Sequence, residues 1–383
     1  MIFAIICTLS AYNRPPSPLT SHIYVPFAPA IKIDMTKKSA SGNLSPSAPS
    51  WPPAGAVQTS PTLLQCLAVF FVSNMFMNSV LLMLAAAWLL PPRYAGALFA
   101  AYYAHVFWSR AHVHGWSWRP LARGGRAASA WLRYFSPAIV VEPGLRAGAQ
   151  YIFACSPHGI HGFGTGFLLA EDSAFYDAAP FLRGRLVGLG AWILFHLPLV
   201  REVFLAAGWR DASRPVAAAA LRAGASLYII IGGEAEALRS APGRDDAVVA
   251  GAGRRGFVRL ALAHGAQLVP FYTFRNTDTF RTSAACFSAR RWLTKVAQIC
   301  LPLWAGRAGS ALPFNVQLTV AVGAPVPFPA GYAPPPPGAD ARPSDAHVDA
   351  YHAAFVDALR ATFERHKARA GYPPERVLNI HEA

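Results

Sequence analysis

The feature that most constrains the fold is a long uncharged stretch in the first quarter of the chain. Leu63–Leu90 contains no Asp, Glu, Lys or Arg in 28 positions. About 20 apolar residues span the hydrocarbon core of a bilayer, so this stretch predicts a transmembrane helix, with a buried core helix as the alternative. Pro91-Pro92 ends it, and the uncharged segment Tyr94–Ser109 follows. At roughly 1.5 Å per residue the second segment is somewhat short for a bilayer, so two short spans and one re-entrant hairpin both remain open.

Composition and charge narrow the class of protein. Of the 383 residues, 54% are apolar and 14% are charged. Soluble domains are roughly 45–50% apolar and about 25% charged, so a membrane-associated protein is indicated. The net charge of +15 favours anionic partners such as anionic lipids or phosphorylated small molecules. No nucleic-acid-binding motif accompanies the charge, so we predict no nucleic-acid partner.

The segments along the chain indicate three parts. Residues 1–61 are rich in Pro and Ser and predict a disordered tail, residues 62–109 form the predicted hairpin, and residues 110–383 form the main domain. Five arginines follow the second apolar segment: Arg110, Arg119, Arg123, Arg126 and Arg133. Positive charge collects on the cytosolic side of membrane proteins, so the main domain is predicted to face the cytosol. If the apolar pair is a hairpin, the N-terminus is cytosolic too.

The main domain has the pattern of an α/β fold. Four continuous apolar runs predict buried strands: Ala149–Cys155, Ser226–Ile231, Gln267–Thr273 and Val316–Val322. Strands buried on both faces are typical of a mostly parallel sheet with flanking helices. Helical stretches such as Pro215–Ala223 and Gly256–His264 separate the runs, and a last helix is predicted to begin at Ser344 or Asp345.

Several motifs of other classes are missing. There is no Gly-x-Ser-x-Gly, as a hydrolase with a serine nucleophile would carry, and no Walker A motif. The five cysteines are widely spaced without a Cys-x-x-Cys pair, which indicates neither a disulfide framework nor a zinc site. The His-x-x-His-His clusters of membrane di-iron enzymes are absent too, so we predict no metal.

The segment Ser156-Pro157-His158-Gly159 follows a predicted buried strand. Pro157 restricts the backbone, and Gly159 allows a sharp turn. A histidine on such a turn is well placed as a general base, because its ordinary pKa lies near neutrality. The alternative is a histidine that only satisfies local backbone groups.

Two further segments hold candidate polar residues. Gly232-Gly233-Glu234-Ala235-Glu236 also begins at a predicted strand end, where one carboxylate could orient the histidine or simply cap the next helix. Arg254-Arg255-Gly256-Phe257 contains the start of the predicted helix at Gly256, and it offers guanidinium and backbone N–H groups to an anion such as a phosphate. An ordinary solvated helix start is the alternative for the second segment.

Taken together, these segments resemble the diacylglycerol acyltransferase type 2 family, which includes the monoacylglycerol and wax-alcohol acyltransferases. The resemblance covers residues from about 115 to the C-terminus and is strongest in four segments: 151–164, 198–208, 228–238 and 254–274. One position and one segment depart from the family pattern. Ser156 stands at the first histidine of His-Pro-His-Gly, and residues 274–278 replace a Phe-Gly-Glu-Asn-Glu segment, which puts the acceptor preference in question.

The resemblance implies esterification of diacylglycerol to triacylglycerol, with acyl-CoA as co-substrate and no metal or bound cofactor. His158 would be the general base and Glu236 the residue that orients and charge-balances it. The residues assigned to substrate binding are Pro157, Gly159, Gly232, Gly233, Arg254, Arg255, Gly256 and Phe257. The implied location is the endoplasmic reticulum membrane, with the lipid droplet as a further location. Whether the protein forms an oligomer is left open. Monoacylglycerol or a fatty alcohol as acceptor and a catalytically silent membrane scaffold are the alternatives.

Overall fold

The computed structural model describes residues 61–117, 131–171, 173–250, 252–297, 300–336 and 338–382. The predicted disordered tail, except for residue 61, and three of the five arginines lie outside the described residues. The described helices are α1 Leu63–Ser73, α2 Met75–Leu89, α3 Pro92–Ser109, α4 Ala111–His114, α5 Gly166–Leu169, α6 Phe175–Ala178, α7 Val200–Ala206, α8 Arg214–Arg222, α9 Gly233–Arg239, α10 Gly256–Ala263, α11 Phe287–Ala297 and α12 Asp345–Lys367. The described strands are β1 Ala138–Val141, β2 Tyr151–Ser156, β3 Leu186–Gly190, β4 Arg210–Asp211, β5 Ser226–Ile230, β6 Asp245–Ala250, β7 Gln267–Phe274, β8 Arg281–Ser283, β9 Leu303–Ala305, β10 Thr319–Val322 and β11 Leu378–Glu382.

Seven of the eleven described strands form a mostly parallel sheet, in the order β1-β10-β7-β2-β5-β3-β4. Only the β10–β7 pair within it is antiparallel, so the predicted α/β fold is confirmed. Strand β2 lies between β5 and β7, with Cys155 opposite Ile230 on one side and Phe271 on the other. Because these three strands run parallel, the segments that follow them emerge at one edge of the sheet.

Both faces of the sheet are covered, which explains why its strands read as continuous apolar runs. Along β2, Ile152 and Ala154 belong to one buried cluster, while Phe153 and Cys155 belong to the other. The first cluster includes helix α12, which Ser344 caps by accepting a hydrogen bond from the His347 N–H. A buried apolar stripe of α12 faces the sheet: Val348, Tyr351, Phe355, Leu359 and Phe363.

The predicted continuous helix over Leu63–Leu90 is wrong, because the chain breaks at Asn74. The Asn74 side chain donates to the Phe70 carbonyl at 2.7 Å and to the Ala311 carbonyl at 3.3 Å, which offers the backbone an alternative to continuing the helix. Among the described helices none is by itself both long and apolar enough to cross a bilayer. Helices α1 and α2, bent by 74°, meet the length and composition criterion as a pair. The second apolar segment is the single helix α3.

Candidate active site

The turn after β2 carries the predicted histidine. The chain leaves the strand at Ser156 and passes through Pro157, His158 and Gly159, with a cis peptide bond between Ser156 and Pro157. Gly159 has a φ of +61°, in the left-handed region that favours glycine. A Cβ at Gly159 would also lie 2.5 Å from Nδ2 of Asn276. The predicted turn is therefore present, and both its backbone conformation and its crowding require the glycine.

The imidazole of His158 has a defined tautomer. Its ring is partly buried, and Nδ1 lies 3.0 Å from the carbonyl oxygen of Gly159. A carbonyl oxygen can only accept a hydrogen bond, so Nδ1 carries the proton and Nε2 of the neutral ring carries the lone pair. Burial lowers the pKa of His158, while hydrogen bonds to backbone oxygens oppose that change. A neutral imidazole with an unprotonated Nε2 meets the chemical requirement for a general base.

Glu236, near the start of α9, lies beneath this turn and is only 2% exposed. Its Oε1 accepts from Ser156 Oγ at 3.0 Å and from the Val248 N–H at 2.9 Å. Its Oε2 accepts from the backbone N–H of His158 at 2.7 Å. Burial raises the pKa of Glu236 to about 7, while these three donors and the charge of Arg254 oppose the rise. The carboxylate thus joins strand β6 to the histidine turn.

The contact between Glu236 and His158 differs from the one expected. The carboxylate binds the backbone N–H of His158, whereas ring atom Nδ1 is bound to the Gly159 carbonyl. Glu236 therefore contacts the backbone of the histidine and not its ring. Gly232 makes room for this arrangement, since a Cβ there would overlap the Glu236 carboxyl group. Gly233 begins α9 with a φ of +50°.

Asn276 is a site residue that sequence reasoning missed. It is fully buried, and its Nδ2 donates to the carbonyl oxygens of Pro157 at 3.1 Å, His158 at 2.9 Å and His161 at 3.1 Å. Because carbonyl oxygens can only accept hydrogen bonds, the side-chain atom that faces all three of them is the amide nitrogen. One amide therefore fixes the turn from the side opposite to Glu236. The available signal was its position just after β7, within the segment that departs from the family pattern.

A second imidazole, that of His161, lies close to His158. Its ring contacts Phe163, Phe280 and Trp304 at centroid distances of 5.5, 5.6 and 6.0 Å. Burial, together with the neighbouring His158, lowers the pKa of His161 to about 3, so this ring is neutral near pH 7. Its Nε2 has no hydrogen-bond partner in the described part of the chain.

No metal cluster is found in the described ranges. Within them, no group of three or more His, Cys, Asp and Glu side chains could hold a metal ion. The expectation that the reaction needs neither a metal nor a bound cofactor stays a prediction.

The structure separates the four residues of the predicted anion site. Arg254 faces the candidate active site, where its Nη1 donates to the Ile231 carbonyl at 3.2 Å. Arg255 points to α12 and forms an ion pair with Asp349. Phe257 packs on Phe355, with ring centroids 5.2 Å apart, so it belongs to the core beside α12. Gly256 begins α10, and the space where a Cβ would stand is open.

Comparison with known proteins shows which family the chain resembles. A family model described as diacylglycerol acyltransferase matches residues 81–381. A 2-acylglycerol O-acyltransferase 3 from Homo sapiens is 32% identical over 290 residues, which cover 69% of this chain and 80% of the relative. An acyl-CoA wax alcohol acyltransferase 1 from Homo sapiens is 30% identical over 331 residues, which cover 79% of this chain and 94% of the relative. A diacylglycerol O-acyltransferase 2 from Bos taurus is 29% identical over 290 residues, which cover 69% and 76%.

The chain therefore belongs to the diacylglycerol acyltransferase family, and the resemblance inferred from its motifs is confirmed. It is an acyltransferase of lipid biosynthesis. Among solved structures, a 1-acyl-sn-glycerophosphate acyltransferase from Thermotoga maritima matches with 12% identity and a TM-score of 0.39, covering 79% of this chain and 96% of that one. A likeness at that level adds nothing to the family assignment.

Proposed function

We propose that this protein transfers the acyl group of acyl-CoA to the free hydroxyl of diacylglycerol, with His158 as general base. The observation that carries the proposal is the hydrogen bond from His158 Nδ1 to the Gly159 carbonyl. It leaves Nε2 of the neutral ring able to accept a proton. The family supplies the reaction class, whereas the acceptor and the role of His158 are the parts that this proposal adds.

The proposed reaction is direct transfer. Nε2 of His158 takes the proton of the acceptor hydroxyl as its oxygen attacks the thioester carbonyl. The tetrahedral intermediate collapses, the carbon–sulfur bond breaks, and the CoA thiolate takes the proton from the imidazolium. Backbone N–H groups of the glycine-rich turn at 159–164 would stabilise the oxyanion, and the buried charge of Glu236 would favour the imidazolium. Every atom in this scheme comes from the two substrates and the histidine.

Acyl-CoA binding is proposed to involve Arg254 more closely than Arg255. Arg254 lies beside Gly233, close enough to the site for its charge to act on Glu236. Arg255 is already paired with Asp349 and would have to leave that partner to reach a phosphate. The open space at Gly256 gives a phosphate access to the first backbone N–H groups of α10, which has eight residues.

The apolar helices support a membrane location. Most of the large side chains of α1 and α2 point outward, with Leu67 58%, Met77 58% and Trp88 87% exposed. Such a surface is unfavourable in water and favourable in lipid. We propose that α1–α3 insert in the endoplasmic reticulum membrane or a lipid-droplet monolayer, with the main domain in the cytosol. A glycosylation tag placed after residue 383 should stay unmodified in microsomes, and a modified tag would reverse this orientation.

An acceptor panel tests the function itself. Purified full-length chain receives radiolabelled acyl-CoA with diacylglycerol, monoacylglycerol or a long-chain alcohol, and the lipid products are separated. We expect triacylglycerol to be the main product. A main product from monoacylglycerol or the alcohol would reassign the acceptor, as the departure at residues 275–278 allows. If no acceptor received label, the silent scaffold would replace the enzyme.

A further inference from the structure

A second surface near the apolar helices has an unusual composition. Residues 281–312, here called the ribbon segment, contain five basic residues and no Asp or Glu. Its described parts are the antiparallel strands β8 and β9 and the helix α11 between them. The acyl-transfer scheme above uses none of these residues.

Arg290 fixes the orientation of α11 within the ribbon segment. Its guanidinium is buried and donates to the carbonyl oxygens of Ser283 at 2.7 Å, Ala285 at 2.9 Å and Leu301 at 3.2 Å. These oxygens lie before and after the helix in the chain. One side chain therefore holds α11 against the segments that precede and follow it. The opposite face of the helix points outward as a result.

That outward face is apolar and basic. Trp292 is 64% exposed and Val296 is 65% exposed, one helical turn apart. Leu301 and Leu303, which follow the helix, are also exposed. Arg291 is exposed beside Trp292. A helix with Trp and aliphatic residues next to basic residues is typical of segments that lie in the plane of a bilayer interface.

The ribbon segment is continuous with the apolar helices. The side chain of Asn74, at the break between α1 and α2, donates to the Ala311 carbonyl at 3.3 Å. Trp304 packs against the same buried cluster that contains Val69 of α1. A bilayer that surrounds α1 and α2 would therefore lie beside the ribbon segment as well.

We propose that the outward face of α11 lies on the headgroup region of an anionic bilayer leaflet. The apolar side chains would enter the acyl boundary, and the absence of acidic residues in the ribbon segment matches anionic lipid. The inference rests on the proposed insertion of α1–α3, and it adds a second contact that holds the main domain close to the leaflet. It is independent of the acyl-transfer chemistry.

Fluorescent labels in the full-length chain test this contact. In a background with Cys7, Cys66, Cys286 and Cys300 replaced by Ser, an environment-sensitive fluorophore is attached after Trp292→Cys, Leu81→Cys or Ala353→Cys. Leu81 is an exposed residue of α2, and Ala353 is an exposed residue of α12. The chain is placed in nanodiscs that contain phosphatidylglycerol and a lipid with a nitroxide near its headgroup.

We expect a blue shift and loss of emission at positions 292 and 81, with neither at 353. A blue shift and quenching at position 81 without either at position 292 would overturn this inference alone. Absence of both effects at both positions would overturn the insertion as well. A blue shift at 292 in detergent that grows with protein concentration would assign the face to a second copy of the chain.

A charge variant tests the choice of anionic lipid. Arg291→Glu, added to the label at 292, should reduce the quenching in phosphatidylglycerol discs to the level seen in purely zwitterionic discs, because each basic residue near an anionic surface favours binding. Unchanged quenching, or equal quenching of the parent label in both disc types, would overturn the electrostatic part. Quenching at position 81 should stay the same throughout and serves as the control.

Discussion

The turn after β2 and the loop before α10 are both short segments in which glycine follows polar residues, yet the structure treats them differently. At the turn, Glu236 and Asn276 fix the backbone from two sides, and the position of a Cβ on Gly159 is already occupied. At the loop, Arg254 and Arg255 point to different neighbours, and Gly256 borders open space.

The difference matches the two roles proposed above, proton transfer at the turn and acyl-CoA binding at the loop. A proton transfer requires an imidazole held within hydrogen-bond distance of its substrate, so the turn is rigidly supported. Binding a flexible, highly charged molecule requires reach and charge, and under the proposed function Arg254 and Arg255 would supply both. Changes in the turn should therefore act on kcat, and changes in the loop should act on KM.

The largest effect is expected for His158→Ala, which removes the proposed general base. Loss of a general base typically lowers the rate by about 10²–10⁴-fold. The assay is triacylglycerol formation at saturating acyl-CoA, with expression and membrane retention measured in parallel. His114→Ala, which changes an exposed histidine of α4, is the matched control and should keep full activity. An active His158→Ala enzyme would exclude His158 as the base.

Asn276→Asp is expected to rank second. It replaces the amide nitrogen, which faces three carbonyl oxygens, by an oxygen that cannot donate to them. Hydrogen bonds worth about 0.5–1.5 kcal/mol each are lost and repulsion is added, so kcat should fall by roughly 10²-fold. Steady-state kinetics should show a small change in the KM for acyl-CoA. A change in KM alone would contradict a role in fixing the turn.

Glu236→Gln should lower kcat by about tenfold, because an amide has one acceptor oxygen where the carboxylate uses two. Since the pKa of Glu236 is raised to about 7, the wild-type rate should fall as the pH drops through that value and Glu236 becomes protonated. The pKa of His158 is lowered, so its own protonation should affect the rate only at lower pH. A pH–rate profile should lose the step near 7 in the variant. Persistence of that step would assign it to another group.

The double variant Arg254→Ala, Arg255→Ala tests the loop. If both guanidiniums contact phosphates of CoA, the KM for acyl-CoA should rise by about tenfold or more, since each charge-assisted hydrogen bond contributes roughly 1.5–3 kcal/mol. The KM for the lipid acceptor should change little. Of the two single variants, Arg254→Ala should show the larger rise in the KM for acyl-CoA, because Arg255 already has Asp349 as a partner. An unchanged KM for acyl-CoA would return both arginines to a structural role.

The smallest effect is expected for Ser156→Ala. Its hydroxyl donates to Glu236 Oε1, which still accepts from the Val248 N–H in the variant. Loss of one hydrogen bond costs about 1 kcal/mol of stability, and kcat should stay within a few-fold of wild type. Thermal unfolding and product formation provide the two measurements. If Ser156→Ala were inactive while His158→Ala was active, an acyl-serine intermediate would replace direct transfer.

The sequence by itself determined four strands of the main sheet, the last helix and the turn that carries the candidate histidine. Continuous apolar runs predicted strands β2, β5, β7 and β10, because both faces of a covered parallel sheet must be apolar. The sharp turn at Gly159 and the start of the last helix near Ser344 also followed from local chemistry, since each depends on residues within a few positions. The same motifs identified the family.

Only the tertiary structure decided the contacts between those elements. Glu236 reaches the backbone of His158 across 78 positions, and Asn276 reaches it across 118, distances over which no local pattern carries information. The Asn74 side chain, at the break between α1 and α2, donates to the distant Ala311 carbonyl. Apolar composition carries no information on that contact, and it therefore predicted one continuous helix. Composition specifies which surfaces are buried or exposed, whereas directional hydrogen bonds between distant segments require the packed fold.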